Sequence, residues 1–185
     1  MPITINGSGT LTGISVGGLP DGIVDTDMIA AGAVTAPKRG VGSVLQIIEG
    51  STNNRVEISD TSFVATNLTA SITPIAASNK IFVQVSGDCN TNADDNEIIM
   101  TVYRSIDGGA FSNLGDANQG FATARCNAER LHSAVSIGFL DTPSSTAVVA
   151  YKVYIRKTSA GSGNVEFPAH ANYNKVFMHL TEIAA

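Results

Sequence analysis

The chain has 185 residues, a net charge of −5 and only 15% charged residues. That balance excludes a disordered chain, which couples low hydrophobicity to high charge, and eleven scattered Lys and Arg form no basic stripe for nucleic acid. No apolar run approaches the roughly 20 residues of a membrane-spanning helix. The N-terminus lacks the basic and apolar parts of a secretory leader, so the chain is expected to be made in a cytosol, without insertion in a membrane.

Residues 1–21 read as short extended pieces joined by glycine turns, ending in the double turn signal Gly17-Gly18-Leu19-Pro20-Asp21-Gly22. Two ten-residue units follow, Gly22–Ala31 and Gly32–Val41, each opened by glycine with a valine two places on. Asp25 is a candidate N-cap for at most one short helix, which Gly32 and Pro37 prevent from continuing. The apolar set Val24, Met28, Ile29 and Val34 is too small for a core, and an isolated helix shorter than about 12–15 residues is marginal in water. Those four residues are therefore expected to be buried by other chains, as anchoring or assembly residues.

From Ser43 the texture becomes that of strands. Val44–Glu49 and Arg55–Ile58 flank an Asn53-Asn54 turn, and Ser62–Val64 and Asn67–Thr73 add extended pieces. Ile81, Val83 and Val85 alternate with Phe82 and Gln84, which marks a half-buried strand. Glu97–Ser105 carries Ile98, Met100 and Val102 on one face and Ile99, Thr101 and Tyr103 on the other. Asp107-Gly108-Gly109 is a hairpin turn leading to a short return strand in Ala110–Leu114. Gly120–Asn127 and Leu131–Leu140 follow, then Ala147–Lys157, a flexible tip at Ser159–Asn164, and a closing strand Lys175–Ile183. Roughly eight to ten short strands with regular turn signals predict an all-β, antiparallel, jelly-roll-like β-sandwich. The expected organisation is an extended N-terminal arm, residues 1–42, ahead of a β-sandwich head, residues 43–185.

Chemistry-bearing residues are few. Asp88, Asn90, Asn92 and Asp94 fall at alternate positions, as a calcium loop begins. Ala93 stands where that loop needs glycine and Ile99 where it needs glutamate, so a helix–loop–helix site is excluded. A looser calcium site in a sandwich loop and a plain polar loop stay open. His132, His170 and His179 have no metal-motif spacing, no serine has a nucleophile elbow, and the acids of Asp94–Glu97 sit in one loop rather than opposed. The chain is read as no enzyme, with no cofactor. Cys89 and Cys126 are read as buried free thiols or a late cross-strand disulfide; a metal pair has no supporting spacing. Tyr103, Tyr151, Tyr154 and Tyr173 could stack on sugars, with contacts at the loops Asn90–Asn96, Gly115–Gly120 and Ala160–Asn164.

Several motifs together carry a family resemblance. Gly7-Ser8-Gly9-Thr10-Leu11-Thr12-Gly13, then Gly18-Leu19-Pro20-Asp21-Gly22-Ile23-Val24, then Gly32-Ala33-Val34-Thr35, resemble the N-terminal region of bacteriophage tail-fibre and related virion structural proteins. Ser71–Pro74, Ser78–Ile81 and the terminal Glu182-Ile183-Ala184 resemble the heads of such proteins. The resemblance implies a trimeric appendage or decoration on a virion and leaves tail or head open. The leading expectation is a short homotrimeric tail fibre, anchored through its arm to other virion proteins, with a head whose loops could contact a host surface glycan. A capsid decoration or head-fibre protein is the alternative. A free carbohydrate-binding or hydrolytic module is a third reading.

Overall fold

The computed structural model describes residues 4–5, 11–12, 34–35, 38–127, 129–158 and 163–185. The chain divides into two units, Met1–Arg39 and Gly40–Ala185. In the first, β1 (Thr4–Ile5) pairs antiparallel with β2 (Leu11–Thr12), and the Lys38 N–H donates to the Thr35 carbonyl at 2.9 Å. The short helix expected after Asp25 lies outside the described residues.

The second unit is the expected antiparallel β-sandwich. One sheet holds β3 (Val44–Thr52), β4 (Val56–Ile58), β6 (Lys80–Thr91), β10 (Leu131–Asp141), β12 (Val165–Phe167) and β13 (Val176–Ile183). The other holds β5 (Val64–Ile72), β7 (Glu97–Ile106), β8 (Ser112–Asn113), β9 (Ala122–Arg125) and β11 (Val149–Lys157). In the six-stranded sheet, β6 is the spine. Its partners β13 (Lys80–Ser86) and β12 (Asn90–Thr91) succeed each other along one edge. β10 pairs over Ile81–Thr91 and so must occupy the other edge. In the five-stranded sheet β11 is central, between β5 and β7, and β8 and β9 share the outer edge of β7.

Period-two alternation places the core. Ile81, Val83 and Val85 on β6 and Val176, Met178 and Leu180 on β13 are fully buried. They meet Val149, Tyr151, Val153 and Ile155 of β11 from the opposite sheet, in one continuous cluster. Burying such side chains is worth about 1.5–3 kcal/mol each, which is what offsets the ordering of the chain. β7 is buried on both faces along its middle: Ile99 and Thr101 are buried as fully as Ile98 and Met100. The reason is tertiary. Leu114–Phe121 folds back against β7: Phe121 N donates to Met100 O at 2.8 Å and Leu114 N to Val102 O at 3.0 Å, and Gly115 and Gly120 lie close against the Thr101 side chain. Gly120 is required there: its φ is +59°, and a Cβ would lie 2.3 Å from Met100 O. The Asp107-Gly108 turn has positive φ at both residues, 52° and 70°, as a type I′ hairpin demands.

Two polar clusters cross or seal the sandwich. Arg104 of β7 donates to both Asp141 oxygens at 2.8 and 2.9 Å, and the Tyr151 hydroxyl donates to Asp141 at 2.7 Å. One carboxylate from the six-stranded sheet thus ties two strands of the other. Burial first, then the hydrogen bond to Asp141, pushes the Tyr151 phenol above its ordinary range. At the closing strand, Glu182 is fully buried and accepts from Gln46 Nε2 at 2.5 Å, Ile75 N at 2.7 Å and Asn79 Nδ2 at 2.6 Å. Both cysteines are buried and no disulfide joins them. Burial, with the neighbouring Asp88 charge second, pushes the Cys89 thiol up to about 12.

Candidate functional site

The outer face of the five-stranded sheet carries an aromatic and cationic cluster. Lys152, Tyr154 and Arg156 alternate along β11 and so project from the same face. β7 adds Tyr103, opposite Lys152, while Tyr154 stands opposite Thr101. That register makes Tyr103 and Tyr154 diagonal neighbours, and their rings stack with centroids 3.9 Å apart. Phe63, just before β5, meets Tyr103 edge-on at 6.2 Å, and Phe111 tilts against Tyr154 at 6.3 Å. A cation closes each end: Arg156 lies 5.3 Å over the Phe63 ring and Lys152 5.4 Å over Phe111. Each such pair is worth about 0.5–1 kcal/mol at exposed sites. Burial, and then Tyr103, raise the Tyr154 phenol above its usual value.

Beside this cluster lies an open recess of about 430 Å³, lined by Thr61, Ser62, Phe63, Tyr103, Ala117, Asn118 and Arg156. Arg156 holds its two walls. Its guanidinium donates to Thr61 O at 3.2 Å on one side and to Asn118 O on the other. Those partners are neutral carbonyls, and among the described residues no carboxylate stands within ion-pair reach of Arg156. The nearby Asp116 carboxylate turns into its own loop, accepting from Asn118 N at 2.8 Å and Gln119 N at 2.7 Å. Those amides, Gln119 first, hold its carboxyl below the ordinary carboxylate range. The recess thus offers hydroxyls, an amide, ring edges and an uncompensated positive charge. That chemistry suits a polar ligand.

The sequence-predicted residues fall in several places. Tyr103 and Tyr154 come together, whereas Tyr151 points into the core with its hydroxyl on Asp141 and Tyr173 is 89% exposed. Asp88 and Asn90 belong to β6 itself, which corrects the assignment of Asn90 to a loop. Asp88 accepts from Ala169 N at 3.3 Å and from Asn174 Nδ2. Asn90 donates to the buried Glu166 at 2.8 Å. Asn92 Oδ1 accepts from Asn164 N at 2.5 Å, and Asp94 Oδ1 accepts from Asp95 N at 2.9 Å. Each is turned to a different neighbour within the chain. Among the described residues no three His, Cys, Asp or Glu stand together as metal ligands. Val24, Met28 and Ile29 lie outside the described residues; Val34 is half exposed. His132 and His170 stack at 4.7 Å, both exposed, and His179 meets Glu49 at 3.2 Å. Phe63, Phe111 and Arg156 were missed by sequence reading; the one available signal was the Lys152-x-Tyr154-x-Arg156 alternation.

No family model and no curated protein matches the chain. Among solved structures it is similar to a chain of infectious bursal disease virus, Gx strain, at 13% identity and a TM-score of 0.36, covering 76% of this chain and 37% of that one. A chain of the Gt strain matches at 11% identity and 0.32, covering 76% and 37%. A chain of the T13 particle of the same virus matches at 12% and 0.33, covering 76% and 36%. The chain spans little more than a third of those chains, and likeness at this level assigns it neither family nor function. Among the described residues no helix is long and apolar enough to cross a membrane.

Proposed function

We propose that this chain is a virion structural protein without catalytic role, a short homotrimeric tail fibre of a bacteriophage. Its N-terminal arm would anchor it to other virion proteins, and its head would meet the host surface. The observation that carries this reading is the division of the chain: a β-sandwich, Gly40–Ala185, that closes its own core behind a separate N-terminal unit. The resemblance of Gly7–Gly13, Gly18–Val24 and Gly32–Thr35 to tail-fibre N-termini supports the same assignment. The recess at Phe63, Tyr103 and Arg156 is where a host glycan would sit, its hydroxyls facing those of Thr61 and Ser62.

The test is incorporation. Particles assembled with the full chain should contain it in a few trimers each, and deletion of residues 1–42 should leave a folded head outside the particle. A deleted chain that still joined the particle would overturn the anchoring role. Scores of copies per particle would overturn the tail position in favour of a capsid decoration.

A further inference from the structure

The strands at sheet edges differ in how they meet solvent. An edge strand presents unpaired main-chain N–H and C=O groups, and proteins blunt such edges by keeping them short, charged, proline-bearing or covered. β4, β8 and β9 are short, with three, two and four residues. β3 and β5, at the two sheets' facing margins, press together: a Cβ on Gly50 of β3 would lie 2.2 Å from the Thr69 carbonyl oxygen. Among the described residues β10 has none of these devices. It runs eleven residues, all paired with β6 and with no other strand among the described residues. Between Leu131 and Leu140 it holds no proline and no Asp, Glu, Lys or Arg. Its one acid, Asp141, turns inward onto Arg104 and Tyr151.

We propose that the outer edge of β10 joins two copies of this chain, antiparallel, about a twofold axis at Ser136. The six-stranded sheet of one head would then run on into that of its neighbour. The occupant is argued from the strand itself. In the register that overlaps all of β10, Ser136 meets Ser136, Ala134 meets Gly138 and Val135 meets Ile137. No like charges are opposed, and the exposed residues nearest the axis, Ala134, Ser136 and Gly138, are all small. A strand complementary to itself is what an isologous contact requires, and each paired residue adds about one main-chain hydrogen bond on average. The contact lies in the head, and so goes beyond the anchoring reading, which concerns the arm.

The test is the mass of the full chain by light scattering over the micromolar range. Ser136→Lys and Ser136→Glu place like charges on the axis, where directly opposed charges repel. Each variant should halve the mass while keeping the far-ultraviolet circular dichroism of the folded wild type, and an equal mixture of the two should restore the wild-type mass. Alternate amides of Ala134–Gly138 should gain hydrogen-exchange protection as wild-type concentration rises. A wild-type mass of one or three chains, or a mass that neither substitution alters, would overturn the proposal. An arm that failed to hold three copies would change the starting mass but not the halving, so the two readings fail separately.

Discussion

The two margins of the six-stranded sheet solve one problem in opposite ways. At β3 the main chain is pressed so closely on β5 that only glycine fits at position 50. At β10 the main chain pairs with no second strand among the described residues, and the sandwich is held instead by side chains: Phe139 stacks on Phe121 at 4.4 Å, and Asp141 reaches Arg104 and Tyr151. Closure by backbone leaves no room for a partner strand. Closure by side chains from the inner face leaves the outer edge usable. The difference suggests that one margin serves the fold and the other serves association.

The sharpest way to break the closed margin is Gly50→Ala. The added methyl meets a carbonyl oxygen at 2.2 Å rather than a movable side chain, so the two sheets must part. A loss of about 4 kcal/mol is expected, measured by urea unfolding. At the open margin, Asp141→Ala removes the acceptor shared by Arg104 and Tyr151 and leaves the buried Tyr151 hydroxyl and the partly buried Arg104 guanidinium without it. About 3 kcal/mol should be lost. If Asp141→Ala cost more than Gly50→Ala, the assignment of which margin is held by backbone would be reversed.

Much of this contrast was readable from the residues, and some was not. Strict alternation in Ile81–Val85, Val149–Ile155 and Val176–Leu180 marks strands with one core face, and the structure buries those residues. The type I′ turn at Asp107-Gly108 needs only local chemistry. Burial of both faces of β7 was not legible, because it depends on Leu114–Phe121 folding back over a strand more than ten residues away. β12 was missed because three residues, Val165-Glu166-Phe167, are too short to show a period. The aromatic cluster depends on cross-strand register, which brings Phe63, Tyr103 and Tyr154 together from three separated segments. A single sequence holds each ring but not the register that joins them.

Alkaline pH sharpens the comparison, because the Tyr151 phenol and the Cys89 thiol sit in the packing that faces the open margin. Both have folded-state values above their unfolded ones, 10.0 for tyrosine and 9.0 for cysteine. Their contribution is therefore complete below pH 9 and is lost as pH rises. Cys89 loses its share between pH 9 and about 12, and Tyr151 begins to lose its share above pH 10. Each group lowers stability by at most about 1.4 kcal/mol per pH unit in its window. Unfolding curves between pH 8 and pH 11 should show the decline, and Cys89→Ala should flatten its first part. A stability unchanged across that range would mean that neither group is buried as described.

The smallest expected effect lies on the outer face of the five-stranded sheet, away from both margins. Arg156 bridges the carbonyls of Thr61 and Asn118 and covers Phe63. Lysine carries the same charge but lacks the planar fork that reaches two acceptors at once. Arg156→Lys should therefore cost about 1 kcal/mol, whereas Lys152→Ala, which loses only its place over Phe111, should cost less than about 0.5 kcal/mol. The bridge also restrains the loop that covers β7. Limited proteolysis should cut Asp116–Gly120 faster in Arg156→Lys than in Lys152→Ala, with Gly50 and Asp141 intact in both. Equal cutting rates would place the loop's restraint in the backbone bonds of Leu114 and Phe121 alone. The recess would then be a by-product of folding, with Arg156 free to turn toward a ligand.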